Sequence, residues 1–363
     1  MANDDGSAGS RARRALRTGA TALRTGVIGT AGGAAFFLLA LPLPWMLGAM
    51  AASAVATVGG VPLRIDDRLR RTMFAILGVM VGGTFTPEVV AHAVRWPATM
   101  AVLVVFVIGA TAISWLVYRR LGGLDARSAV FAGTPGGLNE MVILTESVGG
   151  NVRGVALAQS TRIFVVVMTL PFVLRLIFGI QPSDRLVPAA PLWGVFDLVD
   201  VVLIAAAAGA GMWLARTIRI PAWQLTGAMF GSAVVHATGL SDAIPPGLLI
   251  AAAQVVIGIS VGARFLGLTL RELGRALALG ALASAGMLAF AAALALLLAP
   301  LVDIPFASIL LAYAPGGVTE MSLVALALGL DVAFVATHHV IRILLIVMAG
   351  PIFFRRLGAH REQ

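Results

Sequence analysis

Long apolar runs recur along the whole 363-residue chain, and they constrain its fold more than any other feature. They approach or exceed the length of about 17 to 25 helical residues that crosses the hydrocarbon core of a bilayer. Examples cover residues 101–117, 164–180, 201–215, 276–298 and 323–349. Only 12% of the residues are charged, about half the share of an ordinary soluble domain. The sequence therefore predicts an all-α polytopic membrane protein.

Two residue types are missing from the chain. It has no cysteine and no lysine, so all 26 basic residues are arginine. Without cysteine, the chain can form neither disulfides nor thiolate metal sites. The net charge of +9 does not indicate nucleic-acid binding, because the arginines lie in short loops and tails between apolar runs, where basic residues set membrane topology. We therefore expect a lipid bilayer, and no nucleic acid, among the partners.

Two eight-residue segments inside the apolar sequence match each other at a spacing of 180 residues. TPGGLNEM begins at Thr134, and APGGVTEM begins at Ala314. The same spacing relates RIFVVVMTLPFVLRL, which begins at Arg162, to RILLIVMAGPIFFRR, which begins at Arg342. A fixed long spacing of this kind is typical of an internal repeat. We interpret the chain as two copies of one unit.

The arginines indicate that the two copies lie in opposite orientations. Arginine-rich and arginine-poor loops alternate in each copy, and the alternation is reversed in the second. Because cytoplasmic loops are enriched in basic residues, we predict antiparallel copies in a bacterial cytoplasmic (inner) membrane, with both termini cytoplasmic. The predicted parts are a disordered basic tail (1–25), membrane repeat 1 (26–180), a linker (181–195), membrane repeat 2 (196–357) and a tail (358–363).

Inversion requires that each copy crosses the membrane an odd number of times. We predict about five transmembrane helices per copy, in the first copy at 26–40, 44–60, 70–84, 97–118 and 153–177. The Pro-Gly-Gly segments at 128–150 and 305–329 would then be re-entrant hairpins of two half-helices. Twelve spans with broken helices are the alternative. Proline lacks an N–H, and glycine permits positive φ and close backbone approach, so the tips should present oriented backbone dipoles.

Polar residues around the two tips form the candidate substrate-binding site. Arg162 and Arg342 lie about ten residues into the helix after each tip, near mid-bilayer, where a charge normally pairs or lines a pathway. Either Glu140 and Glu320 neutralise them as structural ion pairs, or the arginines bind an anion while a glutamate takes up protons. The candidate residues are Thr134, Pro135, Gly136, Gly137, Asn139, Glu140 and Arg162 in the first copy, and Pro315, Gly316, Gly317, Thr319, Glu320, His338, His339 and Arg342 in the second.

His338 and His339 invite a metal interpretation, which the sequence does not favour. Adjacent helical residues diverge by about 100°, and no Asp, Glu or His at ligand spacing accompanies them. A hydrogen-bonding wall or a proton acceptor is the better interpretation. No catalytic motif, phosphate loop or dinucleotide fingerprint is present. We therefore expect no enzyme activity, no catalytic residue, no metal and no cofactor, with H⁺ or Na⁺ as an optional coupling ion.

The paired PGG-x-x-E-M motifs, each followed by a mid-helix arginine, resemble the membrane AbrB family. This duplicated-domain group is also labelled as an ammonia monooxygenase, and the resemblance covers nearly all of the chain after the basic tail. Inverted units with central re-entrant segments also look like the cation:proton antiporter and anion transporter architecture. That likeness implies a scaffold and a mobile core that contains both hairpins, and it leaves the substrate undefined.

These patterns lead to three functional hypotheses. The first is a secondary active transporter of a small solute, with organic anions as the leading class, which binds between the two tips and works by alternating access. The second is a membrane sensor or regulator that binds a ligand without moving it. The third is a membrane subunit of an ammonia-oxidising enzyme. A homodimer is left open, and the sequence fixes neither the substrate nor the coupling ion.

Overall fold

The computed structural model describes residues 5–178 and 197–358, in which all regular secondary structure is helical. The first range contains α1 Asp5–Leu38, α2 Pro44–Val58, α3 Asp67–Gly82, α4 Pro87–His92, α5 Trp96–Arg120, α6 Ala126–Gly133, α7 Leu138–Ser147 and α8 Val152–Phe178. The second contains α9 Leu198–Thr217, α10 Trp223–Ala237, α11 Gly247–Gly262, α12 Leu270–Val302, α13 Phe306–Tyr313, α14 Val318–Ala327 and α15 Val332–Gly358. Short 3-10 turns follow α4 and α11. The expected all-α fold is confirmed.

Six helical stretches of the described chain are long and apolar enough to cross a membrane. They are Pro87–Arg120, Val152–Ile177, Leu198–Thr217, Gly247–Phe265, Leu270–Val302 and Val332–Ala349. Four of the spans predicted in the first copy coincide with α2, α3, α5 and α8. Helix α2 is apolar but has only 15 residues, which rise about 22 Å and fall short of a full hydrocarbon core of about 30 Å. The architecture is that of a multi-pass membrane protein.

Helix α1 begins earlier than expected. Residues 5–25, which we predicted to be a disordered tail, belong to α1, and that helix continues into the predicted first span at 26–40. Alanine and arginine, which are among the best helix formers, are abundant in this segment, and helix propensity explains the difference. The predicted linker at 181–195 and residues 359–363 of the predicted tail lie outside the described residues.

Side-chain caps fix the start of several helices around the Pro-Gly-Gly segments. Asp125 accepts hydrogen bonds from two backbone N–H groups in the first turn of α6, both at 3.0 Å. Asn151 and Asp331 do the same for single N–H groups of α8 and α15, at 2.8 and 2.9 Å. Each cap satisfies donors that a helix leaves unpaired at its N-terminus. The caps therefore set the lengths of the connections between the short helices and the long helix that follows.

The chain divides into two compact units, whose boundaries fall inside α3 and α11. One unit holds the chain up to Met73 and the segment Ala251–Leu270. In it, α1 and α2 cross at Gly32 and Gly48, so closely that a Cβ on either glycine would overlap the backbone of the other helix. Glycines at such crossings let two helix backbones come into van der Waals contact. The α1–α2 pair is therefore held by close backbone packing.

The other unit, which holds Phe74–Ile250 and the chain from Arg271 onward, contains a matching helix pair. Here α9 and α10 cross at Gly211 and Gly227, again with backbone of the partner helix where a Cβ would stand. These glycines follow Gly32 and Gly48 by the same number of residues, 211 − 32 = 227 − 48 = 179. The same type of crossing therefore occurs once in each unit.

A second glycine contact also occurs once in each unit. In the larger unit, Gly78 of α3 packs against the backbone of α10, and Ser232 of α10 donates a hydrogen bond to the carbonyl of Val79 at 2.9 Å. In the smaller unit, Gly262 of α11 packs against α2, and Thr57 of α2 donates to the carbonyl of Gly262 at 3.0 Å. Small residues and hydroxyl groups therefore join helices that are far apart in the sequence.

Helices α5 and α12 of the larger unit run antiparallel. Near the start of α5, Arg95 forms an ion pair with Asp303 at 3.0 Å, just beyond the end of α12. Further along α5, Gly109 lies against the ring of Phe290, earlier in α12. The ion pair is solvent-exposed and contributes at most about 1 kcal/mol. Packing between the two long helices therefore fixes their direction.

We expect Gly211→Ala to destabilise the protein by about 1 to 3 kcal/mol, because its methyl group would overlap the backbone of Gly227. Gly209→Ala, two residues earlier on α9, is the matched control because no atom lies within 4 Å of the position of its Cβ. Alanine favours the helix there, so the control should be neutral or stabilising by about 0.5 to 1 kcal/mol. Thermal unfolding in detergent compares the two variants, and equal unfolding midpoints would contradict the close packing of α9 and α10.

Candidate functional site at two helix breaks

Two helix breaks lie where the Pro-Gly-Gly motifs stand. Helix α6 ends at Gly133 and α7 begins at Leu138, while α13 ends at Tyr313 and α14 begins at Val318. The backbone is extended at both ends of each break, with ψ between 127° and 157° at the flanking cap residues. None of the motif glycines has a positive φ. The expected use of glycine for left-handed backbone is therefore wrong for these four residues.

The glycines are needed for space instead. A Cβ on Gly136 would stand 2.9 Å from a side-chain carbon of Met141, and one on Gly316 would stand 2.7 Å from Met321. Gly136 also faces Ile346 of α15, whose methyl carbon would be 3.3 Å from an added Cβ. The first break therefore contacts the helix that follows the second break, which brings residues of the two predicted copies together.

Each break is bound by the arginine of the long helix that follows it. Arg162 donates from Nη1 to the carbonyl of Thr134 at 2.8 Å and from Nη2 to the carbonyl of Gly136 at 3.2 Å. Arg342 donates in the same way to the carbonyls of Ala314 and Gly316, both at 2.7 Å. The same atoms are used 180 residues apart. Each guanidinium thus satisfies carbonyl groups that the break removes from helical hydrogen bonding, and we call each arrangement an arginine clamp.

The two ion pairs considered from the sequence do not form. Within the described chain, neither Arg162 nor Arg342 contacts a carboxylate, and both are 1% exposed. The physical reason is the direction of the backbone dipoles. The carbonyl groups at the end of α6 and α13 attract a cation, whereas the glutamates lie in the first turn of α7 and α14, where the N–H groups point.

Glu140 and Glu320 fold back over the glycine before their own helix. Each is the third residue of its helix, and its carboxylate oxygen lies where a Cβ of Gly137 or Gly317 would stand. Glu140 is half-buried, and Glu320 is 8% exposed. A carboxylate at this position interacts favourably with the positive end of the helix dipole. The N-termini of α7 and α14 therefore each accommodate a carboxylate group.

Gln159 is part of the first clamp, although the sequence analysis did not select it. Its amide nitrogen donates to the carbonyl of Phe131 at 2.6 Å and to that of Thr134 at 3.0 Å, and its side chain is fully buried. The signal that could have found it is the 180-residue spacing, which places Gln159 opposite His339. A polar residue at both positions predicts a shared role.

His339 performs the corresponding role in the second clamp. Its Nδ1 lies 2.9 Å from Nη2 of Arg342, and its Nε2 lies 3.0 Å from the carbonyl oxygen of Leu311. Arginine can only donate, so Nδ1 must accept, and the imidazole hydrogen is on Nε2. Both ring nitrogens are thus engaged in the neutral tautomer. His339 positions Arg342 and has no lone pair left for a metal or an added proton.

His338 lies in a different buried environment, away from the clamp contacts. Its Nε2 is 2.8 Å from Oγ1 of Thr99, and its ring centroid is 4.1 Å from that of Phe334. Tyr313 donates from its hydroxyl to the carbonyl of Thr99 at 2.6 Å. Neither Thr99 nor Tyr313 was among the predicted site residues. This network joins α5, α13 and α15.

The remaining predicted residues divide into buried and accessible groups. Pro135, Pro315 and Thr319 are buried, while Asn139 is exposed at the start of α7. The hydroxyl of Thr134 donates to a carbonyl of its own helix, so Thr134 contributes to the clamp through its backbone only. No group of three or more His, Asp or Glu side chains in the described ranges is placed to hold a metal ion. The arginine clamps are therefore the central feature of the site.

The sequence profile described as "Transition state regulatory protein AbrB" matches residues 45–358, which include both clamps. The chain belongs to the AbrB family. It is 28% identical over 358 residues to "Uncharacterized protein YhjN" of Bacillus subtilis (strain 168), covering 93% of each chain. It is also 26% identical over 332 residues to "Putative regulator AbrB" of Escherichia coli (strain K12), covering 90% of this chain and 94% of that protein. The expected family is confirmed.

Membership in the AbrB family combines with the fold to define the class of protein. The matched region of this AbrB-family chain contains all six helical stretches that are long enough to cross a membrane. The word regulator in the family description belongs to the names of the profile and of the Escherichia coli relative. The chain is therefore an AbrB-family protein with the helical architecture of a membrane protein.

Proposed function

We propose that this AbrB-family chain is a secondary active transporter of a small organic anion, which binds between the two helix breaks. In this proposal it resides in a bacterial inner membrane with both termini in the cytoplasm, and it works by alternating access. H⁺ or Na⁺ serves as the coupling ion, and neither a cofactor nor a catalytic residue is involved. A homodimer is compatible with the proposal and is not required by it.

The observation that carries the proposal is the pair of buried guanidinium groups. Arg162 and Arg342 bond to neutral carbonyl groups and not to carboxylates, so no direct contact neutralises either charge. The two charges are near enough to act on each other. The Nε–H of each arginine is also buried and has no hydrogen-bond partner among the described residues. Two cations in a medium of low dielectric constant attract an anion strongly.

The helix ends at the breaks support a carboxylate as the ligand group. Helices α7 and α14 have ten residues each, and their first-turn N–H groups lack helical partners. The carboxylates of Glu140 and Glu320 already lie over these ends, so the ends suit a carboxylate in size and charge. Asn139 is exposed beside the first end, which gives a solute a route to it. An organic acid fits this combination better than a neutral solute does.

The arrangement of the helices supports inverted repeats with re-entrant hairpins. Helices α6 and α7 have eight and ten residues, and even ten residues rise only about 15 Å, half of a bilayer core. Helices α5 and α12, which correspond in the two copies, run antiparallel. The clamp contacts recur 180 residues apart. Transporters with this organisation bind substrate near the bilayer midplane between the two repeats.

Flux measurement in proteoliposomes tests the proposal. We expect uptake of at least one acid from a panel of labelled succinate, citrate, lactate and glutamate, driven by a proton or sodium gradient. Arg342→Ala should lose it, whereas Arg68→Ala, which alters an exposed arginine before the Pro-Gly-Gly segments, should retain it. Folded protein that moves none of these acids under either gradient would argue against an organic-anion transporter.

A second candidate function is a membrane sensor that binds an anion without moving it. The printed name of the Escherichia coli relative, which describes a regulator, favours this candidate. Both functions use the same clamps and the same ligand chemistry. Saturable binding of an acid to purified protein, together with an absence of flux in proteoliposomes, would favour the sensor.

A further inference from the structure

A buried histidine on α15 belongs to a chain of close polar contacts that the arginine clamps do not use. His338 is fully buried, and its Nδ1 lies 2.8 Å from the carbonyl oxygen of Phe334. Its Nε2 lies 2.8 Å from Oγ1 of Thr99, and that oxygen lies 2.8 Å from the carbonyl oxygen of Trp96. Three consecutive contacts therefore run from one backbone carbonyl to another through an imidazole and a hydroxyl.

The number of hydrogens in this chain depends on the protonation of His338. Each of the three contacts needs one hydrogen between its two electronegative atoms. A neutral imidazole supplies one N–H and threonine supplies one O–H, so an uncharged network holds two hydrogens for three contacts. One contact is then left between two lone pairs. A single added proton gives every contact its hydrogen, with both ring nitrogens donating.

We propose that His338 is the proton-binding site of this chain and that the bound proton is the coupling ion. The proposal rests on the transport function proposed above and names the ion that drives it. His339 cannot take this role, because the hydrogen-bond geometry engages both of its nitrogens as a neutral ring. His338 is the neighbouring imidazole whose contacts fit one more proton.

The groups around His338 define its electrostatic environment. On its own helix are His339 and Arg342, one turn away. Helix α13 contributes Tyr313, whose hydroxyl donates to the backbone of Thr99, and α14 carries Glu320, whose carboxylate lies at Gly317. Helix α5 presents Trp96 and Thr99, which do not titrate. A proton on His338 therefore adds positive charge near Arg342, in a site that an anion would neutralise.

This proximity couples the proton to the anion. His338 precedes Arg342 by four residues, which puts both side chains on the same face of α15, about 6 Å apart along the helix axis. An anion at the second clamp stabilises the protonated imidazole, and by reciprocity the proton increases the affinity for the anion by the same factor. Proton and anion then bind and leave together, which is the requirement for cotransport.

The first copy lacks the network. At the 180-residue spacing, Ala158 takes the place of His338, and Gly133 takes the place of Tyr313. The clamp residues, by contrast, are retained in both copies. One proton-binding site per chain is therefore expected, on α15. The alanine at the corresponding position of α8 also indicates that a helix of this type folds without the histidine, so His338→Ala and His338→Gln are practical test variants.

Proton movement measured together with solute movement tests the inference. Proteoliposomes containing a trapped pH-sensitive dye receive labelled succinate, citrate or lactate. We expect solute entry to acidify the lumen for the wild-type chain. His338→Gln and His338→Ala should reduce accumulation driven by a pH gradient about tenfold, while exchange of labelled for unlabelled solute, which moves no net proton, stays measurable. His92→Gln, which alters an exposed histidine on α4, is the control and should change neither readout.

The outcomes separate this inference from the proposed function. Solute exchange without acidification by the wild-type chain would overturn the proton site and leave the transporter intact. Undiminished pH-driven accumulation by both His338 variants would overturn it as well. If the folded wild-type chain exchanges none of the acids, the proposed function fails, and the inference that rests on it fails with it. Thermal unfolding of each variant shows that a loss of coupling is not a loss of fold.

Discussion

Replacing Arg342 with alanine is expected to lower the free energy of unfolding by about 3 to 5 kcal/mol. The change removes the hydrogen bonds to the carbonyls of Ala314 and Gly316, and bonds to a charged donor contribute about 1.5 to 3 kcal/mol each. The two carbonyl groups would be left buried without partners. Chemical unfolding in mixed micelles measures the loss, and the flux assay should show no transport by the fraction that folds.

Two comparisons make this prediction specific. Arg342→Lys keeps the charge but cannot donate in a fork to two carbonyls, so it should also be destabilised. Arg162→Ala should lose stability, and Glu140→Ala added to it should not restore stability, because Glu140 and Arg162 form no ion pair. A double variant more stable than Arg162→Ala would show that a buried charge pair exists, contrary to the structure.

Replacing His339 with alanine is expected to cost about 2 to 4 kcal/mol, whereas replacing it with glutamine should cost less than about 1 kcal/mol. Alanine removes the acceptor for Arg342 and the donor to the carbonyl of Leu311, and it leaves a cavity. Glutamine is the residue that stands at the corresponding position of the first copy, as Gln159, where its amide donates to the carbonyl of Phe131.

Unfolding measurements on the two variants under one set of conditions check this expectation. The reciprocal change, Gln159→His, should be tolerated for the same reason. If His339→Gln were as unstable as His339→Ala, the imidazole would have a role that an amide cannot fill. That result would contradict the assignment of His339 as a neutral positioning residue.

The sequence predicted the location of the site because the repeat fixed it twice. Pro135 and Pro315 predicted helix breaks, and the breaks stand there. Arg162 and Arg342 were singled out by their depth in an apolar helix, and they bind the breaks. Hydropathy located α5, α8, α12 and α15, because long apolar helices leave the strongest sequence signal.

The contacts at the site were harder to predict because backbone atoms make most of them. A sequence displays Glu140 and Arg162 as opposite charges, but it does not display carbonyl groups, which are the actual partners of Arg162. Gln159 has a side chain with no distinctive motif, and only its match with His339 could have revealed it. The link between His338 and Thr99 spans 239 residues, and nothing in the local sequence around Thr99 announces it.

The arginine clamps also bear on the order in which the chain can assemble. Each joins residues only 26 to 28 positions apart, so the entropy of closing the loop is small, and a clamp can form as soon as α8 or α15 has been synthesised. Helix α2, by contrast, waits for α11, because the hydrogen bond from Thr57 reaches a residue 205 positions later. During synthesis, α2 must therefore remain without that partner, in contact with lipid or with the insertion machinery, until two thirds of the chain has been made.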